Sequence, residues 1–128
     1  MEVVELSARR GRERAGLFFS PDVLAELGAA VGPDMCREIV EDAMLMVTER
    51  LISIDHALRR ADMAKIERLS GDVAASAARV GMSTVAAQAE ALRDCARRAD
   101  DVACAAVGAR LLSTGEASLL AHAANCVG

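Results

Sequence analysis

The sequence predicts an all-α protein, an antiparallel bundle of helices joined by short loops. Three observations lead there. Apolar residues recur at three-and-four spacing along most of the chain, which is one face of a helix. No alternating apolar and polar run bounded by hairpin turns competes with that reading. Finally, 53% of the residues are hydrophobic but only 2% are aromatic, with no Trp, no Tyr and two Phe. Ala, Val, Leu, Ile and Met must therefore fill the interior, which suits close-packed helices better than a sheet sandwich. A chain of 128 residues is expected to hold one core.

Taken in order, residues 1–18 carry Arg9, Arg10, Arg12 and Arg14 close together without an amphipathic repeat, and are expected to form a flexible, solubilising basic arm. A helical bundle is expected over 19–113. Ser20 is a good N-cap, Pro21 suits the first helical position and Phe19 can close over Leu24 as a hydrophobic staple, so a short helix should run to about Ala30. Gly32-Pro33 ends it and starts the next. From Asp34 to Arg60 the inward positions are Ile39, Val40, Ala43, Val47, Leu51, Ile54 and Leu58, which makes this the long helix. Asp62 caps a third, with Ile66, Leu69, Val73, Ala77 and Val80 inward and Gly81 as its stop. Ser83 or Thr84 opens a fourth, with Val85, Ala89, Leu92 and Ala96 inward. Asp100 or Asp101 opens a fifth, with Val102, Ala105, Ala109 and Leu112 inward. Residues 114–128 are expected as a tail that forms at most another short helix through Leu119, Leu120 and Ala123.

Several functions are excluded by composition. The net charge is −4 and the isoelectric point about 5.2, so the domain has no electrostatic footprint for nucleic acid, and no aromatic platform exists on which bases could stack. No signal-peptide core and no run of about 18 apolar residues is present, so a cytoplasmic location without membrane partners is expected. Cys36, Cys95, Cys104 and Cys126 form no CxxC pair and read as reduced, mostly buried thiols. His122 and Cys126 share a helical face at ligand spacing, but two ligands do not make a metal site. No metal and no cofactor is expected, and nothing fixes an oligomeric state.

The stretch SPDVLAELGAAVGPDMCREIVEDAMLMVTERLISIDHALRRAD, followed by MAKIERLSGDVAASAARVG and AAQAEALRDCARRADD, resembles the histidine-containing phosphotransfer (HPt) domains of bacterial phosphorelays over roughly residues 20–112. The resemblance implies a four-helix bundle, here with an additional short helix, and a response-regulator receiver domain or a histidine kinase as partner. Members carry HxLKG, then small residues and a glycine, on the third of these helices. Anchoring the closing glycine at Gly81 puts Val73 at the motif leucine, Ala75 at its inner glycine and Ser76 to Ala78 at the small residues. It also puts Gly71 where the phospho-accepting histidine belongs and Ala74 where the lysine belongs. The reaction needs an imidazole nitrogen to take the phosphoryl group and a cation to steady its oxygens. Gly71 and Ala74 supply neither, so the resemblance implies a pseudo-phosphotransfer domain that binds a partner without catalysis.

Gly71, Ala74, Ala75 and Ala78, flanked by Glu67, Arg68 and Arg79, are expected to form a smooth outer strip for that partner. Alanine's helix preference explains the same residues without a partner. His56, between Asp55 and Ala57 and close to Arg59 and Arg60, is the alternative phospho-acceptor if the chain is an active phosphocarrier. An unrelated helical interaction protein is the remaining alternative.

Overall fold

The computed structural model describes residues 19–127 and consists, over them, of five helices. These are α1 (Pro21–Val31), α2 (Pro33–Arg59), α3 (Met63–Arg79), α4 (Ser83–Arg97) and α5 (Asp101–Val127). The basic arm expected over 1–18 lies outside the described residues. Helices α2 to α5 pack in a closed ring, each against the next and α5 back against α2. Helix α1 lies against α2.

The antiparallel course follows from three corners built alike. In each, the helix ends in a Schellman motif: the Asp62 N–H donates to the Ala57 carbonyl, Met82 to Ala77 and Asp100 to Cys95. The residue just before the donor takes the left-handed conformation, Ala61 and Ala99 at φ 52° and Gly81 at φ 79°. Two corners then reuse the donor residue as the next N-cap. Asp62 Oδ1 accepts from Lys65 N–H and Asp100 Oδ1 from Ala103 N–H. A helix that stops and restarts within three residues must fold back on its predecessor.

Gly81 differs from the two alanines because α1 begins on top of it. The Ser20 N–H donates to the Gly81 carbonyl at 2.6 Å, and a Cβ on Gly81 would sit 3.1 Å from the Ser20 carbonyl oxygen and from Val23 Cβ. Ser20 is the N-cap, its hydroxyl accepting from Val23 N–H at 3.4 Å, and Pro21 is the first helical residue. Phe19 reaches beyond the expected local staple. It is buried in the core, and its ring centroid lies 5.9 Å from that of His122 near the end of α5.

The inward residues expected on α3 and α4 are all buried. On α2, Val40, Ala43, Val47, Leu51 and Ile54 are buried with Met44 and Ala57, while Ile39 and Leu58 are half-buried. On α5 the expectation fails. Val102 is 82% exposed, Ala105 and Ala109 are exposed and Leu112 is half-buried. The inward face is instead Cys104, Gly108, Leu111, Gly115, Ser118 and Ala121. Gly108 and Gly115 leave room for α2, because a Cβ on either would run into the Leu58 or Leu51 side chain. Leucines from α2 thus drop into notches on α5, and a count of apolar residues passes over the glycines that make the notches. Nor does a tail begin at residue 114: α5 continues through Val127, with Ser118 donating its hydroxyl proton to the Thr114 carbonyl at 2.8 Å.

Among the described residues, no helix is long and apolar enough to cross a membrane. Cys95 and Cys104 are buried free thiols and Cys36 is half-buried. Burial pushes the Cys104 thiol up from its ordinary value, so it stays protonated and unreactive at neutral pH.

Candidate docking face

Helix α3 is wedged between α2 and α4, and its charged residues show which edge meets which neighbour. On one edge Asp72 accepts from Arg50 of α2 at 3.3 Å, and the Ser76 hydroxyl lies 2.9 Å from the Met46 sulfur, also of α2. On the other edge Glu67 accepts from Arg97 of α4 at 2.9 Å, and the Arg93 side chain of α4 runs alongside Gly71. The carboxylate of Glu67 raises the pKa of the Arg97 guanidinium, chiefly through that hydrogen bond. Between these edges the outward arc of α3 carries Ala64, Arg68, Ala75, Ala78 and Arg79, all exposed, with Gly71 half-buried at its α4 side.

Ala74 does not belong to this surface. It is 3% exposed, which corrects its expected place in the outer strip. At 100° per residue it falls beside Ser70 and Ala77, on the side that closes against α4. Because α3 is packed on two flanks rather than one, its buried arc is wider than an apolar-face estimate allows. A lysine at this position would have to extend out of the seam between α3 and α4.

The surface over Gly71 is an open depression of about 410 Å3, lined by Ala64, Glu67, Arg68, Gly71 and Arg93. A Cβ on Gly71 would come no closer than 3.8 Å to Arg93, an ordinary contact, so packing leaves space for a side chain there. Arg93 is the residue that the sequence alone did not bring to this face. It comes from the neighbouring helix, and no spacing within α3 announces it. Its partner Glu90 lies at 3.7 Å, a loose surface pair of small energetic weight.

Neither histidine approaches Gly71's depression. His56 is exposed at the corner between α2 and α3, in a second depression of about 230 Å3 lined by Ser53, His56, Ala57, Arg60, Asp62 and Lys65. His122 is half-buried against Phe19, and the side chain of Cys126 lies outside the described residues. No group of three or more potential metal ligands occurs among the described residues.

No protein-family profile matches the chain, and no curated protein does. Among solved structures, the bundle is similar to histidine-containing phosphotransfer protein B from Pseudomonas aeruginosa PAO1. The TM-score is 0.76 at 19% sequence identity, over 87% of this chain and 96% of that one. The likeness is one of fold: α1 to α5 build an all-α, HPt-like bundle.

Proposed function

We propose that this chain is a non-catalytic HPt-like docking module of a cytoplasmic phosphorelay, which binds a response-regulator receiver domain or a histidine kinase through the outward face of α3. The observation that carries the reading is the face itself. On an HPt-like bundle, the position that the motif register assigns to the nucleophile is Gly71, with open space above it and small residues below it. Glycine has no side chain to phosphorylate, so the module takes no phosphoryl group there. What the face offers is close approach: Ala75 and Ala78 keep the helix backbone near the partner, while Arg68, Arg79 and Glu67 supply a charged rim.

The test uses purified receiver and kinase domains from the source organism. Ala75→Arg and, separately, Ala78→Glu place long charged side chains on exposed positions, so stability should shift by no more than about 0.5 kcal/mol. Partner affinity should fall at least tenfold, which is about 1.4 kcal/mol. Unchanged affinity in both variants would mean that the alanines are helix formers and nothing more.

A second reading, an active phosphocarrier, has one observation in its favour: His56 is exposed beside Arg60 and Lys65 in a shared depression. Incubation with a phosphorylated receiver separates the two. The docking module stays unlabelled, whereas a carrier acquires acid-labile phosphate that disappears in His56→Ala.

A further inference from the structure

The seam between α2 and α5, on the far side of the bundle from the outward arc of α3, carries a groove that neither reading uses. Its volume is about 310 Å3, and Leu51, Ile52, Leu112 and Leu119 supply its apolar lining. Apolar side chains continue past it: Ile52 is 58% exposed, Leu45 61% and Leu120 65%. The contacts of Leu51 with Gly115 and of Leu58 with Gly108 fix the antiparallel register, which brings Leu45 level with Leu120. From Leu45 to Asp55 the strip runs for about 15 Å, or three helical turns. Helix α5 gives a second sign that something covers this side. Between Val102 and Ala124 its exposed positions are Val, Ala, Ser and Leu, apart from Arg110 and Glu116. A helix that is apolar around most of its circumference is normally enclosed by other elements.

The charges decide what docks. Glu38, Glu41 and Glu49 lie one or two turns from Leu45 on the exposed side of α2, and Glu116 borders the groove on α5. None of these four carboxylates has an ion pair among the described residues. The cations nearest the strip are already held, Arg59 by Asp55 at 3.2 Å and Arg37 by Asp34 at 3.7 Å. Arg110 falls about 160° round α5 from Leu112, on the side away from the seam. A second copy meeting this face about a two-fold axis would set the carboxylates against their own equivalents, and like charges across an interface oppose association. Anionic polymers and anionic lipid surfaces are repelled for the same reason. The occupant is therefore basic at its edges and apolar along its centre. It is also a helix, because α2 and α5 satisfy their own backbone groups and offer no free edge to which a strand could bond.

We infer that the seam between α2 and α5 is a second docking face, which takes an amphipathic helix of another protein. The apolar stripe of that helix lies on Leu45, Ile52, Leu112 and Leu119, and Lys or Arg side chains along its borders meet Glu38, Glu41, Glu49 and Glu116. This face is separate from the one on α3, so the chain can hold two partners at once.

The test uses two fluorescent helical peptides of about 18 residues, long enough to hold a helix, with the same leucine stripe and either Lys or Glu at every other position. Binding to the full-length protein is followed by fluorescence anisotropy. The Lys peptide should bind at least tenfold more tightly than the Glu peptide, and high salt should weaken it. Ile52→Glu should weaken the Lys peptide at least tenfold. The direction is diagnostic, since the added carboxylate would strengthen an attraction that was electrostatic alone. Glu41→Lys combined with Glu49→Lys should weaken it roughly fivefold, and Ala78→Glu on α3 should leave it unchanged. All four positions are exposed, so these variants keep the fold. Equal affinity of the Lys peptide for the parent and for Ile52→Glu would overturn the proposal, as would equal affinity of the parent for the two peptides. A parent that sediments as a dimer and becomes a monomer in Ile52→Glu would overturn it too, since a second copy would then be the occupant.

Discussion

Helices α3 and α5 both carry glycine in mid-helix, where the residue costs about 1 kcal/mol relative to alanine, and the two helices carry it for opposite reasons. Gly108 and Gly115 of α5 are buried, and the space a Cβ would need is taken by Leu58 and Leu51 of α2. Gly71 of α3 faces an open depression, and the nearest atoms to its would-be Cβ belong to Arg93 at 3.8 Å. The glycines of α5 set the distance between two helices. The glycine of α3 sets nothing in the packing, so its presence has to be explained by what the outer face does, or no longer does.

The sharpest way to break this comparison is to fill the notch. In Gly115→Leu the new side chain meets Leu51, which is 6% exposed and already occupies the space that the first added carbon would need. Overpacking of this kind should cost about 3 kcal/mol, read as a lower denaturant midpoint with unchanged slope. Truncating Leu51 in the same chain should recover part of the loss, because the two residues compete for one volume. A neutral Gly115→Leu would mean that the helices do not interlock here.

Gly108→Ala is the milder form. A Cβ there would lie 2.5 Å from Leu58 Cδ1, but Leu58 is half-buried and can swing its tip outward. Relief of the glycine penalty offsets part of the clash, so a net destabilisation of about 1 kcal/mol is expected. Thermal unfolding of the single variant, and of its double with Leu58→Ala, checks it.

The same contrast explains how far the sequence could be read. On α3 and α4 the apolar repeat is the core face, and Ile66, Leu69, Val73, Val85 and Leu92 all sit where the spacing puts them. The corners were legible too, since Asp62, Gly81 and Asp100 announce themselves by cap chemistry. On α5 the repeat misled, because its buried face carries Cys104, Gly108, Gly115, Ser118 and Ala121 around a single leucine, Leu111, while Val102 and Leu120 lie outside. Close helix approach selects small residues rather than apolar ones, and a hydrophobicity count weighs the wrong property. At the candidate site the motif register located Gly71, Ala75 and Ala78 on the accessible side of α3. It misplaced Ala74, whose burial depends on the second flank supplied by α4, and it could not find Arg93, which belongs to that flank. Local spacing reports one helix, whereas a site shared by two helices depends on how they cross.

The smallest effect discriminates most finely. Gly71→Ala adds a methyl group to a position where nothing stands within 3.8 Å, so the variant should gain most of alanine's helix preference. An increase in unfolding free energy of roughly 0.5–1 kcal/mol is expected, measurable in urea against Gly108→Ala, where the sign should be reversed. Destabilisation at both positions would show that α3 is as tightly notched as α5 and would end the comparison. If stability rises as expected, affinity for the proposed receiver or kinase partner assigns the glycine its reason. A partner that binds Gly71→Ala as tightly as the parent has no use for the missing side chain, and the glycine then serves neither packing nor docking. A clear fall in affinity, with the bundle itself more stable, requires the partner's surface to rest on the backbone at Gly71. That glycine would then be kept for approach at a cost to the helix.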